Sequence, residues 1–330
     1  MAHGAGGKAT RRLVEGLIVP AFANPALEAL SDAALLTIEG ARIATTADGF
    51  VVKPLEFRGG CIGSLAVNGT VNDLAVSGAR PVALMATLIL EAGLDGDLLA
   101  RQIEAMAAAA RAANVPIVGG DTKVVEHGMA DGMYVTTFGI GLVDERLALG
   151  PRSVRPGDRV LLSGPIGDHG ITILLARGEL ELDAEIASDS RALTPFVDAL
   201  CAAAAPGLRW MRDPTRGGVA TALNELARDA GVGVVLDEER IPVRDPVRGA
   251  CEILGLEPLH IANEGQSLAI VAPGFADAAL AAVRSVPGGE EAALIGEIAQ
   301  EPASRVITRA RYGGTRVVDM LLGDPLPRIC

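Results

Sequence analysis

The chain has 330 residues, 49% of them hydrophobic but only 3% aromatic, so small aliphatic side chains must fill its cores. At the usual ~100–200 residues a domain, this length predicts about two domains. The formal net charge of -12 argues against a nucleic-acid or anionic-membrane partner, because both are bound through clustered basic side chains.

Cysteine use and hydropathy indicate the compartment. The four cysteines lie far apart and form no CxxC pair, and the opening residues lack the apolar core of a secretory signal. No apolar run reaches the ~18–20 residues that span a bilayer. We therefore expect a cytoplasmic protein with reduced thiols, in which Cys61, Cys201 and Cys251 are small buried hydrophobes.

The first half of the chain alternates helical and strand periods. DLLARQIEAMAAAARAANVP predicts a helix, because its apolar residues recur on one face and it ends in Asn and Pro. VPIVGGD predicts a short buried strand that opens into a glycine loop, and MYVTTFGIGLV predicts another strand. The proline- and glycine-rich LALGPRSVRPGD places a domain boundary near residue 150.

The second half repeats the alternation. We predict helices at 169–178, in GGVATALNELARDAG and at 275–285, and strands at VGVVL, SLAIVAP and AALIGEIA. The pattern indicates an α/β (α+β) protein with domains at 1–150 and 151–322. Residues 323–330 have no periodicity and are expected to form a mobile tail, which Pro-x-Pro stiffens and Cys330 ends.

Three glycine-rich segments are candidate phosphate contacts: HGAGGK at 3–8, GGDTK at 119–123 and DPTRGG at 213–218. Glycines let backbone N–H groups approach an anion, and a following helix N-terminus favours negative charge. None is a Walker A loop. For the first segment a disordered start is the alternative.

Several acids lie in apolar or glycine-rich surroundings: Asp32, Asp48, Asp73 and Asp121. Aspartates gathered from several elements suit Mg²⁺, which takes oxygen ligands and bridges phosphates. For any one of them, the alternative is a turn or helix cap. Lys123 would point the same way as Asp121 in an extended segment, and Glu264 is a candidate base or a loop-surface glutamate. We interpret His169 as a helix cap or local contact.

These pieces occur together in a known family. HGAGGK, VNDLAVSGARP, GDTKV, RDPTRGGV, ANEG and the closing PRIC resemble the HypE family of hydrogenase maturation proteins, from residue 3 to residue 330. The wider superfamily includes aminoimidazole ribonucleotide synthetase. The resemblance implies a two-domain fold of that type, with a C-terminal α/β sandwich and an N-terminal sheet that pairs with a second copy's sheet in a homodimer barrel.

The resemblance also implies a role for the terminal cysteine. In this family a carbamoyltransferase, HypF, loads a carboxamide onto that sulfur, and HypE dehydrates it to a thiocyanate with ATP and Mg²⁺. The cyano group then passes to the HypC–HypD complex and becomes a cyanide ligand of the [NiFe]-hydrogenase iron.

Matching the motifs assigns candidate residues. The implied catalytic residues are Cys330, Lys123 and Glu264, and the implied metal ligands are Asp32, Asp48, Asp73 and Asp121. The implied ATP contacts are Gly4, Gly6, Gly7, Lys8, Asp48, Asn72, Asp121, Thr122, Asp213, Thr215, Gly217, Gly218 and Asn263, with Asn72 and Asn263 as polar supports.

Two departures weaken this match. Ala47-Asp48-Gly49 stands where the family usually has Thr-Asp-Ser, and Ser31-Asp32 stands where relatives often have two acids. One metal ligand is therefore expected to be missing or replaced by water.

Two other functions fit parts of the pattern. A synthetase such as selenophosphate synthetase would need a reactive cysteine in the N-terminal glycine segment, and the sequence has none there. A non-enzymatic carrier would use the terminal thiol to shuttle a group, but it would leave the aspartates and glycine segments without a purpose.

Overall fold

Two sheets organise the part of the chain that the computed structural model describes, which is residues 7–22, 24–178, 185–323, 326 and 328–330. The helices are α1 Lys8–Leu13, α2 Val19–Phe22, α3 Ile62–Val76, α4 Gly96–Ala112, α5 Asp168–Ala176, α6 Thr194–Ala204, α7 Gly218–Ala230, α8 Asp245–Leu254 and α9 Ala276–Arg284. The strands are β1 Ala34–Ile38, β2 Ala41–Phe50, β3 Glu56–Phe57, β4 Gly60–Cys61, β5 Ala79–Glu91, β6 Ile117–Val125, β7 Met133–Val143, β8 Arg159–Leu162, β9 Leu208–Arg212, β10 Gly233–Asp237, β11 Leu268–Val271, β12 Ala293–Ala299, β13 Arg305–Arg309 and β14 Thr315–Val318.

The N-terminal sheet has the strand order β1-β2-β7-β5-β6. Helix α3 packs on one face and is buried almost throughout, because its sequence is apolar on all sides. Gly139 of β7 permits this close approach, since a Cβ there would lie 2.7 Å from the Thr70 Cγ2 atom. The packing brings the acidic residue of α3, Asp73, against strand β2, where Thr46 donates to it at 2.8 Å.

The opposite face of this sheet is largely exposed among the described residues of the single chain. Met85 pairs with Phe138 across β5 and β7, and both side chains are exposed on that face together with Leu142. The cross-strand register places Asp121 and Lys123 of β6 on the same face, at its margin. An apolar patch bordered by charge is typical of a surface that meets another protein.

Strand β6 corrects one expectation from the sequence. VPIVGGD was predicted to be a short buried strand that opens into a glycine loop, but the strand continues through the glycines to Val125 and is exposed along most of its length. Gly120 is required within the strand, since a Cβ there would lie 1.7 Å from the Ala86 carbonyl oxygen. GGDTK is therefore part of an edge strand and not a loop. Its second glycine, Gly120, is needed for the close approach of the neighbouring backbone and not for a turn.

The C-terminal sheet has the order β14-β13-β10-β12-β8-β11-β9. Helix α7 covers one face through Val219, Leu223 and Leu226, and helices α6 and α9 cover the other. The result is an α/β sandwich, as predicted. The predicted helices and strands of this half are confirmed, with ends that differ by a few residues.

The two halves share a hydrophobic cluster. Phe50 and Ile62 of the N-terminal half pack there with Ile171 and Ile261 of the C-terminal half. Ile329, from the end of the chain, is buried in the same cluster. Across the described residues, no helix has both the length and the apolarity to cross a membrane.

Candidate active site

Three carboxylates converge where the two halves meet. Asp32 precedes β1, Asp73 lies on α3 and Asp213 follows β9, and each offers an oxygen within 4.8 Å of the other two. Ligands of one octahedral Mg²⁺ at ~2.1 Å lie ~3–4 Å apart, so a small contraction would let these oxygens hold the ion. The structure thus brings two of the predicted metal ligands, Asp32 and Asp73, together with Asp213, which was predicted only for the nucleotide pocket.

The charges of this group work against one another. Burial raises the pKa of Asp73 well above its ordinary value, and the negative charges of Asp48, Asp213 and Asp32 raise it further. Burial likewise raises the pKa of Asp213 and, to a lesser extent, that of Asp48, which a hydrogen bond with Asp73 partly offsets. Carboxylates held close together in this way gain most from a bound cation.

Arg212 is a member of the site that the sequence analysis did not assign. Its Nε atom donates to both Asp32 oxygens at 2.8 and 3.1 Å, and its Nη1 atom lies 2.5 Å from the Glu225 Oε2 atom. Arg11 of α1 reaches the same glutamate at 3.3 Å. The neighbouring carboxylates raise the pKa of Arg212, so its charge is permanent. Its position immediately before Asp213 in RDPTRGG was the available signal.

The DPTRGG segment forms the turn that leads into α7. Gly217 and Gly218 have φ of +78° and +61°, and a Cβ on Gly218 would lie 2.5 Å from the Leu259 carbonyl oxygen. Only glycine fits both the left-handed conformation and the contact. The segment lines a cleft of about 160 Å³ together with Asp32, Arg212 and Glu225, at the N-terminus of a 13-residue helix. Backbone N–H groups at such a position are suited to phosphate oxygens.

Glu264 lies deep in the site, 3% exposed, and so it is not a loop-surface glutamate. Within the described residues its Oε1 atom has no hydrogen-bond partner. Burial raises its pKa well above the ordinary value, and the negative charges of Asp213 and Asp189 raise it further. A carboxylate in such surroundings is a strong base once it is ionised.

Residues 185–193, which have no regular secondary structure, cover Glu264. None of them was predicted to belong to the site. We call these residues the covering segment. Asp189 accepts a bond from the Glu264 N–H at 3.0 Å, and Gly265 permits this approach because a Cβ there would lie 1.7 Å from the Asp189 carbonyl oxygen. Its composition, ASDSRA, has no periodicity or motif that indicates such a role.

Asn72 and Asn263 hold this arrangement together. The Asn72 amide donates to the Arg191 and Glu264 carbonyls at 3.0 and 3.2 Å and accepts from the Leu193 N–H at 2.7 Å. Asn263 accepts from the Gly167 N–H at 2.7 Å and donates to the Pro214 carbonyl at 3.0 Å. Both side chains therefore support the covering segment and the DPTRGG turn.

Part of the opening glycine segment lies in the C-terminal half. Lys8 pairs with Asp319 at 2.6 Å, and its N–H donates to the Leu321 carbonyl at 3.0 Å. Gly7 lies against the same carbonyl. The predicted ATP contacts at Gly4 and Gly6 lie outside the described residues.

Asp121 and Lys123 do not join the carboxylate group within one chain. They pair with each other at 2.6 Å, with side chains that are 57% and 67% exposed, and Thr122 donates its N–H to Asp121. Strand β6 lies three strands away from β2, which is ~14 Å across the sheet. The cross-strand register places Asp121 on the face of the sheet opposite to that of Asp48. Their predicted phosphate and metal contacts therefore require another chain or a rearrangement.

Cys330 lies beside the end of β2. The terminal carboxylate accepts a bond from the Val51 N–H at 3.0 Å, and the side chain is half-buried against the shared cluster. The mobility expected for residues 323–330 stays a prediction, since the structure describes one docked position of Leu326 and residues 328–330.

The other thiols were all expected to be buried. Cys201 and Cys251 are, and burial raises the pKa of each to about 11. Cys61 differs, because it precedes α3 at the surface and is half-buried.

Comparisons with known proteins identify the family and the fold. The family model of the AIR synthase related protein N-terminal domain matches residues 30–143, and that of the C-terminal domain matches residues 155–309. A carbamoyl dehydratase HypE of Azotobacter vinelandii is 52% identical over 330 residues, which is 100% of this chain and 96% of that protein.

Two solved structures are similar throughout. One, of a HypE–HypF complex, has a TM-score of 0.89 at 42% identity and covers 94% of this chain and 99% of that chain. Another, of HypE in complex with ATP, has a TM-score of 0.84 at 44% identity and covers 99% and 98%. The chain therefore belongs to the carbamoyl dehydratase HypE family, a branch of the AIR synthase related proteins.

Proposed function

We propose that the chain dehydrates a carboxamide carried on the Cys330 sulfur to a thiocyanate, with ATP as the second substrate. The observation that carries this proposal is the position of the terminal residue. Cys330 is bonded to Val51, three residues after Asp48 on the same stretch of chain, which is about 10 Å at strand spacing. A group on this thiol would therefore lie within reach of the carboxylates.

The carboxylates suit Mg²⁺-bound ATP. Asp32, Asp73 and Asp213 would hold the ion, with Asp48 nearby, and the DPTRGG turn would meet the phosphates through backbone N–H groups. Bound Mg²⁺ would supply positive charge to the phosphoryl group. A relative solved with ATP, and 44% identical, supports the choice of nucleotide.

The residues divide the reaction into two stages. Lys123 balances charge on the γ-phosphoryl group as it moves from ATP to the carboxamide oxygen, which turns a poor leaving group into a good one. Phosphorylation of the oxygen makes the nitrogen acidic, and it releases one proton to solvent to give the O-phosphorylated imidate. Glu264 then takes the second proton from this nitrogen while the C–O bond breaks and phosphate leaves with the former amide oxygen. The products are S–C≡N on Cys330, ADP, phosphate and two protons.

A second copy of the chain would complete the site. Lys123 lies at the margin of the uncovered face of the N-terminal sheet, the face that also carries the exposed Met85 and Phe138. Pairing of two such faces in a homodimer barrel would bury the apolar patch and bring Asp121 and Lys123 of one copy towards the carboxylates of the other. This explains why these residues are apart within one chain.

The partners follow from the same proposal. A relative solved in a HypE–HypF complex supports a HypF-type carbamoyltransferase as the source of the carboxamide. We propose a HypC–HypD complex as the acceptor of the cyano group, in the cytoplasm. The product would become a cyanide ligand of the [NiFe]-hydrogenase iron.

The test is the intact mass of the chain after incubation with HypF, carbamoyl phosphate and ATP. We expect an adduct of one carboxamide, which loses one water when the chain can use ATP and which never forms on a Cys330→Ala variant. A Glu264→Gln variant should be loaded normally but keep its water, because it lacks the base.

Two outcomes would contradict the proposal. An adduct on the parent chain that keeps its water with ATP and Mg²⁺ would make the protein a thiol carrier. Full ATP-dependent activity of the Cys330→Ala variant on a small soluble substrate would instead make it a synthetase of the wider superfamily.

A further inference from the structure

The end of the chain is held through its backbone. The Lys53 N–H donates to the Arg328 carbonyl at 3.3 Å, and the Val51 N–H donates to the terminal carboxylate of Cys330 at 3.0 Å. These two bonds are spaced as in an added β-strand. Arg177 also donates to the Arg328 carbonyl, and the Arg328 side chain pairs with Asp131.

Two apolar side chains anchor the same stretch. Leu326 and Ile329 are each 2% exposed and pack in the cluster shared by the two halves. Gly170 of α5 makes room for the first, since a Cβ there would lie 3.0 Å from the Leu326 Cδ1 atom. The docked position is therefore formed by specific contacts from both halves.

His169 contacts the tail one residue before the thiol. The side chain is fully buried, and its Nε2 atom lies 2.7 Å from the Ile329 carbonyl oxygen, one residue before Cys330. Its Nδ1 atom lies 2.8 Å from the Ser188 hydroxyl. Its sequence position indicated a helix cap or local contact, and the structure confirms a contact, made with the tail.

The partners determine the tautomer of this imidazole. A carbonyl oxygen can only accept, so Nε2 must carry the proton that bonds Ile329. Burial lowers the pKa of His169, and the neutral ring then has no second proton, so Ser188 must donate its hydroxyl to Nδ1. The serine oxygen in turn accepts from the Ser190 N–H at 3.1 Å.

This serine belongs to the covering segment. The next residue, Asp189, accepts the bond from the Glu264 N–H. The segment is tied to the N-terminal half as well, because the Ser188 N–H donates to the Arg58 carbonyl at 2.9 Å. A continuous series of contacts therefore joins the tail, through His169 and the covering segment, to the buried glutamate.

We propose that His169 is a positioning residue, whose Nε2–H holds the Ile329 carbonyl and so fixes the Cys330 sulfur in its docked position. Ser188 fixes the imidazole tautomer and aligns the tail with the segment that carries Asp189 onto Glu264. The inference that this position serves dehydration rests on the proposed function, whereas the docking of the tail rests on the observed contacts alone.

The test is the alkylation rate of Cys330 in the full-length protein, measured by a short iodoacetamide pulse and peptide mass mapping. Cys201, which lies on α6 and outside the cluster that holds the tail, is the internal reference. In His169→Gln the amide nitrogen replaces Nε2 and keeps the bond to Ile329, whereas in His169→Asn it reaches only the Nδ1 position. Loss of one hydrogen bond should accelerate Cys330 alkylation about five- to tenfold in the Asn variant. The Gln variant should stay within about twofold of the parent.

A matched control is available in His260. Its Nε2 atom bonds the Asp319 carbonyl at 2.9 Å, the same kind of contact outside the tail. His260→Asn should leave Cys330 alkylation unchanged. Ser188→Ala, which keeps the imidazole, should accelerate it about two- to threefold, and this variant decides the matter if His169→Asn exposes every thiol by unfolding. Parental rates in both His169→Asn and Ser188→Ala, or equal acceleration by Gln and Asn, would overturn the proposal.

Single-turnover dehydration of pre-loaded chains tests the positioning role separately. The rate should fall in His169→Asn and recover in His169→Gln, in proportion to the docked fraction. Parental dehydration in an Asn variant with an undocked tail would overturn positioning. Failure of the parent to dehydrate would instead contradict the proposed function, and the alkylation result would remain.

Discussion

The two acidic regions assigned to one site have opposite electrostatics. Asp73 and its neighbours lie where burial and mutual repulsion raise their pKa values. Asp121 lies on an exposed edge strand, where a bond from Lys123 and the Thr122 N–H lower its pKa. The carboxylates of the first region repel one another although Arg212 pairs with Asp32, whereas the second region is already neutralised.

This difference indicates how the site is divided between two chains. A group of repelling carboxylates destabilises the folded chain, and it persists where function requires a cation. An exposed ion pair contributes little to stability. The Asp121–Lys123 pair is therefore expected to act on another chain that binds this surface. We therefore infer that one chain supplies the cation site and another supplies the balancing lysine.

The largest effect is expected when the cation site is broken. Asp73→Asn removes one ligand and should lower the dehydration rate roughly a hundredfold or more. It should also raise the melting temperature without Mg²⁺, because it removes repulsion. Mg²⁺ should stabilise the parent but not the variant in the same melting experiment. A variant that melts lower, and that Mg²⁺ still stabilises, would show that these carboxylates do not form the cation site.

Loss of the edge lysine should have a comparable effect on rate and none on stability. Lys123→Ala should slow dehydration about a hundredfold, since it removes a charge that acts on the phosphoryl group. HypF-dependent loading of Cys330, read by intact mass, should be unchanged. A melting temperature that falls by several degrees would show a structural role instead.

Dependence of stability on pH should separate the two regions by sign. A raised folded-state pKa means that the folded chain binds protons more tightly, so Asp73 should make stability fall as pH rises above about 4. A lowered pKa means that Asp121 adds stability above about pH 4, which is lost on acidification. Urea midpoints at about pH 5 and 8, without Mg²⁺, should diverge between the parent and Asp73→Asn. The parent and Asp121→Asn should stay parallel there, and the reverse pattern would contradict this assignment.

The smallest effect is expected for the edge pair itself. Asp121→Asn should leave the urea midpoint nearly unchanged at dilutions where the chain is monomeric, because both partners are exposed to solvent in the single chain. Urea titration of the parent and variant at such dilution measures this. A clear fall in the midpoint there would show that the pair is buried within the single chain.

The sequence predicted the fold, and it selected several residues that the structure brings together, because local signals identify them. Asp213 and the glycines of DPTRGG lie together in one turn before α7, where a left-handed conformation requires glycine. Asp32 and Asp73 were selected by their apolar surroundings, and they meet because α3 packs on β2.

Other features depend on contacts that no local pattern reveals. GGDTK has the composition of a loop, but the pairing of β5 with β6 makes it a strand. The covering segment meets Glu264 across 75 residues of sequence, and His169 meets the tail across 160 residues. Arg212 stands in the RDPTRGGV motif, but its pairing with Asp32 spans 180 residues of sequence and no local pattern indicates it.

Mixing two inactive variants tests the central claim most directly. Chains with Asp73→Asn and chains with Lys123→Ala, each loaded with carboxamide, should dehydrate poorly alone. If each site takes its carboxylates from one chain and Lys123 from its partner, random exchange in a symmetric dimer leaves about a quarter of the sites intact, so the mixture should recover about a quarter of the parental rate. A mixture that stays as inactive as its components, after exchange is verified by mass, would contradict a site shared between two chains.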